Sequence, residues 1–189
     1  RDQIDAAFWN AHLNTYALAL DGAKQRCDVR TSNAGHMLFT HAARPERVAP
    51  LVQTLMSDAS FSGWGVRTVS AGESWFSPMA YHNGSVWPHD TALIAFGLSQ
   101  HGYGAAATRL ANAMFDAASH FELRRVPELF CGFERRPDLG PTPYPLACAP
   151  QAWSSGAAFM LLTASLGLEI DAQAREVRFA NPHLPRGIE

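Results

Sequence analysis

The residues best equipped for chemistry form one unbroken string, Tyr81-His82-Asn83-Gly84-Ser85-Val86-Trp87-Pro88-His89-Asp90. Aromatic faces, an amide, two imidazoles and a carboxylate together suit a polyhydroxylated ligand. The C–H faces of a sugar pack on Trp or Tyr, and each hydroxyl needs a donor or acceptor such as Asn, His or Asp. A purely structural role fits the same residues equally well. In that reading Asp90 steadies the first turn of a helix begun by Pro88, and Trp87 belongs to the core. Asn83-Gly84-Ser85 also has the form of a glycosylation sequon.

Three further groups stand out. Glu128 is a lone carboxylate in Val126-Pro127-Glu128-Leu129-Phe130-Cys131-Gly132-Phe133. Burial among such neighbours would raise its pKa, as in many catalytic carboxylates. On the residues alone the simpler reading is a loop glutamate paired with Arg124, Arg125, Arg135 or Arg136. Tyr144-Pro145, followed by Ala149-Pro150-Gln151-Ala152-Trp153, sets Gln151 and Trp153 where a loop enters a helix. There they either face a ligand or cap the helix and fill the core. Ser62-Gly63-Trp64-Gly65-Val66-Arg67-Thr68 puts glycines around Trp64 and a cation at Arg67, and is unspecific by itself. The eight histidines form no ligand set, and His82 and His89 lack carboxylate partners at metal spacing, so no metal or other cofactor is expected. No nucleophile elbow, phosphate-cradling loop or dinucleotide fingerprint occurs.

The elements that must position these groups are mostly helical. Asp2 to Trp9 reads as a short helix or the end of one. Thr15 to Leu20 alternates, Asp21-Gly22 turns, and Cys27 to Arg30 reads as the returning strand. Thr31-Ser32-Asn33 predicts a capped helix from about Asn33 to Ala42. Pro45 opens a helix whose stripe is Val48, Leu51, Val52, Leu55 and Met56. From Ala59 to Trp87 the helical period vanishes and six aromatics appear, which marks a long functional loop. Helices return over about Pro88–His101 and Ala105–Phe121, joined tightly enough for an αα-hairpin. A proline-rich loop from Arg125 to Pro150 leads to a helix over about Gln151–Leu166. That helix is apolar almost all round from Ala157 and so is expected to be fully buried. Leu168 to Phe179 alternates as a small hairpin.

Composition narrows the classes. Across 189 residues, 47% are apolar and 17% charged, which excludes a disordered chain. Fifteen basic against seventeen acidic residues leave no excess to neutralise phosphates, so nucleic acid is not an expected partner. Cys27, Cys131 and Cys148 are too few and too far apart for a disulfide framework. No apolar run is long enough for a bilayer span, and the charged start Arg1-Asp2-Gln3-Ile4-Asp5 is not expected to be a leader. A cytoplasmic location and no membrane partner are expected. The first residues read as the inside of a helix, so a fragment of something longer is expected too.

Taken in order, Ser32-Asn33-Ala34-Gly35-His36, the Trp64 segment, the Tyr81–Asp90 string, Pro127-Glu128-Leu129-Phe130 and Pro150-Gln151-Ala152-Trp153 resemble bacterial amylo-α-1,6-glucosidase, or glycogen-debranching-related, proteins. The resemblance runs from about residue 14 to 182 and is carried chiefly by the Tyr81–Asp90 string. It implies helical hairpins forming about half of an (α/α)6 toroid, with β-hairpins near residues 15–30 and 167–180. It implies residues 1–166 as toroid and 167–189 as hairpin and tail. It further implies an inverting glycoside hydrolase, in which one carboxylic acid protonates the leaving oxygen and a second carboxylate activates water roughly 6.5–9.5 Å away. Carried over residue by residue, Glu128 matches the general base. Trp64, Arg67, Tyr81, His82, Trp87, His89, Asp90, Gln151 and Trp153 match sugar-subsite positions. Nothing matches the general acid, for which Asp58, Glu73 and Asp90 are the only nearby carboxylates. The implied partner is carbohydrate, an α-glucan or another α-glycoside. Half a toroid would also leave an apolar seam for the missing half or a second copy to cover. The competing reading is a non-catalytic carbohydrate-binding or assembly module.

Overall fold

A computed structural model describes residues 1–188 as a mainly α fold, so the tail end at Glu189 lies outside the described residues. Helix α1 covers Asp2–Phe8 and runs into strand β1, Trp9–Asn10. Strand β2, Thr15–Tyr16, pairs antiparallel with β1, while β3, Ala19–Leu20, pairs with β4, Arg26–Cys27. The alternating stretch therefore splits between two hairpins. Asp21 Oδ1 organises the second turn by accepting from the Ala23 and Gln25 N–H groups.

The helix expected over Asn33–Ala42 is shorter and begins differently. A 3-10 turn at Ser32–Gly35 leads into one turn of helix α2, His36–Phe39. Thr31 supplies no cap, and Thr40 Oγ1 turns back on the His36 carbonyl, a local bond that competes with further helix. Helix α3, Pro45–Leu55, buries Val48, Leu51, Val52 and Leu55 along its stripe. Each such side chain contributes about 1.5–3 kcal/mol on transfer from water.

Helices α4, Pro88–Gln100, α5, Gly104–Ala118, and α6, Ala152–Leu166, pack against one another and hold most of the core. Helix α2 crosses α4 at Gly97, where a Cβ would lie 2.5 Å from the Phe39 nitrogen and 2.9 Å from the Leu38 carbonyl carbon. Helix α6 departs from expectation. Its Ala157, Leu161 and Ala164 are buried, but Trp153 is 47% and Phe159 73% exposed, so only one face is covered within this chain. Gly167 ends α6 in a left-handed conformation at φ 57° and delivers the chain to β5, Leu168–Asp171, and β6, Glu176–Phe179. These pair Leu168 with Phe179 and Ile170 with Val177 in the expected hairpin, whose outer residues are open to solvent.

No helix or continuous strand forms between residues 59 and 87. Isolated bridges tie that segment to the rest: Thr31 to Val69, Phe61 to Val66, Arg67 to Val86, Val86 to Phe130, and Phe130 to Pro143. The two long loops are thus pinned to each other by their main chains, and the helices act as the frame beneath them. None of the described helices is long and apolar enough to cross a membrane.

Candidate active site

The site grows from the reciprocal pairing of Val86 and Phe130, whose N–H groups donate to each other's carbonyls at 2.9 and 3.0 Å. Trp87 follows Val86 at the mouth of α4, and Glu128 lies two residues before Phe130. Two loops far apart in sequence are therefore set side by side by backbone hydrogen bonds. The loop carrying Glu128 is doubled back in the same way. The Glu128 N–H donates to the Cys148 carbonyl at 2.9 Å, and the Cys148 N–H donates to Glu128 Oε2 at 3.2 Å.

Glu128 is only 7% exposed and carries no arginine partner among the described residues. Tyr81 Oη donates to its Oε1 at 2.7 Å, and the Gln151 side chain also reaches the carboxylate. The Tyr81 hydroxyl, and then the Cys148 N–H, hold Glu128 below the usual carboxylate pKa. That reverses the sequence expectation. Burial does push the value up, but donors that bond the charged form outweigh it. The same contact pushes Tyr81 up to about 12, so its proton stays on the phenol. The result is an ionised carboxylate, the form needed to accept a proton from water.

Aromatic rings form the floor beside it. Tyr81 meets the rings of His82, Trp87 and Tyr144 edge-on at centroid distances of 4.7, 5.0 and 5.6 Å. His82 lies parallel to Trp87 at 6.1 Å, and His89 stacks on Trp153 at 4.1 Å and 12°. Trp87 is fixed from below, since its Nε1 donates to Ser85 Oγ at 3.0 Å and to the Tyr81 carbonyl at 3.2 Å. Gln151 caps α6 by accepting from the Ala152 N–H at 3.0 Å, which places Trp153 in the first turn.

Asp90 lies in the first turn of α4, 7% exposed, with Oδ1 2.6 Å from His36 Nε2. This hydrogen bond, with the Asp90 charge, raises the His36 pKa above 6.5 despite burial. Burial lowers the pKa of His89, so that ring is neutral near pH 7. Asp90 Oδ2 and His89 Nδ1 are buried without hydrogen-bond partners among the described residues.

The structure therefore brings together Tyr81, His82, Trp87, His89, Glu128, Gln151 and Trp153, with Asp90 one residue below His89. Trp64 and Arg67 go elsewhere. Trp64 is buried under the Arg135 guanidinium at 4.1 Å. Arg67 spends its donors on the carbonyls of Gly132, Asp58 and Ala59 at 2.7, 2.8 and 3.0 Å. Both positions stabilise the loop. Sequence reasoning did not carry three neighbours into the site: His36, Tyr144 and Cys148. His36 ends the Ser32–His36 motif, and Tyr144 precedes Pro145 in the third group, so signals for those two existed. Cys148 acts chiefly through its backbone N–H, which left none. Among the described residues no cluster of His, Cys, Asp or Glu could hold a metal ion.

The helical hairpins and the family match place the chain among the glycoside hydrolases built on helical toroids. Residues 1–131 match the mannosylglycerate hydrolase MGH1-like glycoside hydrolase domain, and the chain belongs to that family. The match supports a toroid glycoside hydrolase and does not single out the glycogen-debranching group that the motifs resemble. The chain is similar in fold to a GH63 mannosylglycerate hydrolase from Thermus thermophilus in complex with Tris, with 22% identity and a TM-score of 0.63. That match covers 82% of this chain and 34% of the other. The same hydrolase with glucose gives 22% identity and 0.60, covering 84% and 37%. With Tris and D-glycerate it gives 22% identity and 0.62, covering 82% and 35%. The chain thus spans about a third of the length of these solved relatives. No curated protein matches it.

Proposed function

We propose that this chain supplies the general-base side of an inverting glycoside hydrolase acting on an α-glycoside. The observation that carries the reading is the buried carboxylate of Glu128, kept ionised by Tyr81 and Cys148 beside the ring floor. Glu128 would take a proton from the attacking water. Tyr81, His82, Trp87, His89 and Trp153 would face the sugar, and Gln151 would orient the carboxylate. The proton donor on the opposite ring face is a carboxylic acid outside these residues, and the exposed face of α6 is where the rest of the toroid packs. Residues 1–166 belong to the toroid and 167–189 to an appended hairpin and tail. The protein works in the cytoplasm with its cysteines unpaired.

Two substrate classes fit this floor. A glycoside of glycerate is favoured by the family and by the D-glycerate-bound relative. An α-1,6-linked glucan is favoured by the motif resemblance alone. The test is hydrolysis of mannosylglycerate and of a branched dextrin by the complete protein, with Glu128→Ala beside it. We expect activity on the glycerate glycoside, loss by at least about a thousandfold in the variant, and partial rescue by azide with inversion. Undiminished turnover in Glu128→Ala would remove the mechanism. Turnover of the dextrin alone would select the second substrate. A mass near 20.6 kDa for the isolated chain in solution would exclude a second copy as the cover of α6.

A further inference from the structure

On the far side of α5 from its buried face, an open pocket of about 610 Å³ is lined by Phe61, Arg109, Asn112, Arg135, His183 and Arg186 among others, with no acidic residue among the described residues of its wall. Two of its arginines are held in place by rings. The Arg109 guanidinium stands 4.5 Å over Phe61, and that of Arg135 stands 4.1 Å over Trp64. Stacking restrains a guanidinium while leaving its edge donors free, which lowers the ordering cost of a later hydrogen bond.

The charges do not cancel. Arg135 Nη1 and Arg186 Nη2 both donate to Asp116 Oδ2, at 2.9 and 3.1 Å. One carboxylate thus serves two guanidinium groups and draws them together. Arg109 has no side-chain hydrogen bond or ion pair among the described residues. Among the described residues, three arginines against one aspartate leave a local excess of two positive charges on a chain of net charge -2. The C-terminal segment is fastened here as well. The Arg186 N–H donates to Asn112 Oδ1 at 2.9 Å, which leaves the Asn112 amide N–H₂ free to donate, and Thr108 Oγ1 donates to the His183 carbonyl at 2.7 Å.

We propose that this pocket binds a phosphoryl group, with Arg109, Arg135 and Arg186 as its ligands. A phosphoryl group carries about −1.5 to −2 charge near pH 7 and has three acceptor oxygens, which matches the local excess and the three forks. A single carboxylate would neutralise only half of it. The site shares no lining residue with the Glu128 floor, so it is independent of the reading of that floor.

The test is isothermal titration calorimetry of the intact chain at low ionic strength with inorganic phosphate, glucose 6-phosphate and glucose. Saturable binding of phosphate or glucose 6-phosphate, none of glucose, and weakening with added salt are expected. Arg109→Gln should weaken binding at least tenfold. Tighter binding of glucose 6-phosphate than of phosphate would identify a phosphorylated sugar as the ligand, and equal binding would identify free phosphate. Arg186 is largely exposed, so Arg186→Gln leaves the fold intact and serves as a second variant should Arg109→Gln melt early. Non-saturable heats, or saturable binding that neither variant changes, would overturn the proposal.

Discussion

Tyr81 Oη and Glu128 Oε1 lie 2.7 Å apart across 47 residues of chain, and the phenol is the donor. The contact couples the aromatic string to the carboxylate loop and fixes the charge state of both groups. Removing the hydroxyl in Tyr81→Phe should let the Glu128 pKa rise, because the largest influence holding it down is gone. A base works only when unprotonated, so activity falls as pH drops through its pKa. The acidic limb of the pH–rate profile in the complete protein should therefore move to higher pH in Tyr81→Phe, and an unmoved limb would refute the coupling.

The His36–Asp90 bond makes a stability prediction with the opposite sign. His36 has a folded pKa above 6.5, so its contribution is fully present below about 6.5 and is lost as pH rises through the folded value. Thermal melts from about pH 5.5 to 8.5 should show Tm declining on the alkaline side of 6.5. His36→Gln should flatten that decline, and a parallel curve for the variant would show that another group titrates.

Trp87 and Trp153 belong to one ring cluster but have different burial, 7% against 47%. Trp87→Ala should cost about 3–5 kcal/mol of stability, as for a core aromatic. Trp153→Ala removes the stack on His89 and should cost under about 1 kcal/mol, while still weakening sugar binding. Urea melts beside a sugar titration separate the two, and equal destabilisation would contradict the placement.

Gly97 offers a sharper packing test. A methyl group there meets the main chain of α2, which cannot yield as a side chain would. Gly97→Ala should destabilise by about 1–3 kcal/mol despite its better helix propensity, whereas Gly156→Ala, which meets nothing, should be neutral or stabilising. Urea melts of the two variants check this, and a Gly97→Ala protein as stable as the parent would contradict the close crossing.

Much of the frame was legible in the sequence, because α3 and α5 bury stripes that repeat at the helical period and Pro88 marks the start of α4. The 167–180 hairpin was legible for the same reason at period two. The failures have a common cause. Thr31 to Ala42 shows capping residues, but its helix is cut short beside its crossing at Gly97, which is 57 residues beyond Thr40 and leaves no local signal. The apolar surround of α6 read as burial, but the sequence carries no account of which neighbours are present to bury it. In the site, the Tyr81–Asp90 string stood out by residue type. The low pKa of Glu128 did not, since it depends on Tyr81 and on a backbone N–H at Cys148, and main-chain donors have no residue signature. Trp64 and Arg67 matched the motif by type, and only packing shows them turned into the loop.

The Val86–Phe130 pair acts as a ruler between the ring floor and the carboxylate, and it is made of main-chain atoms. Such a ruler does not depend on the side chains that face a ligand. Positions such as His82, Tyr144 and Trp153 are then free to drift while the distance from floor to Glu128 stays fixed. On the proposed reading, substrate preference and the position of the base would then be set by separate parts of the molecule. A laboratory selection that randomises those three positions should retrieve new sugar preferences without re-solving the fold.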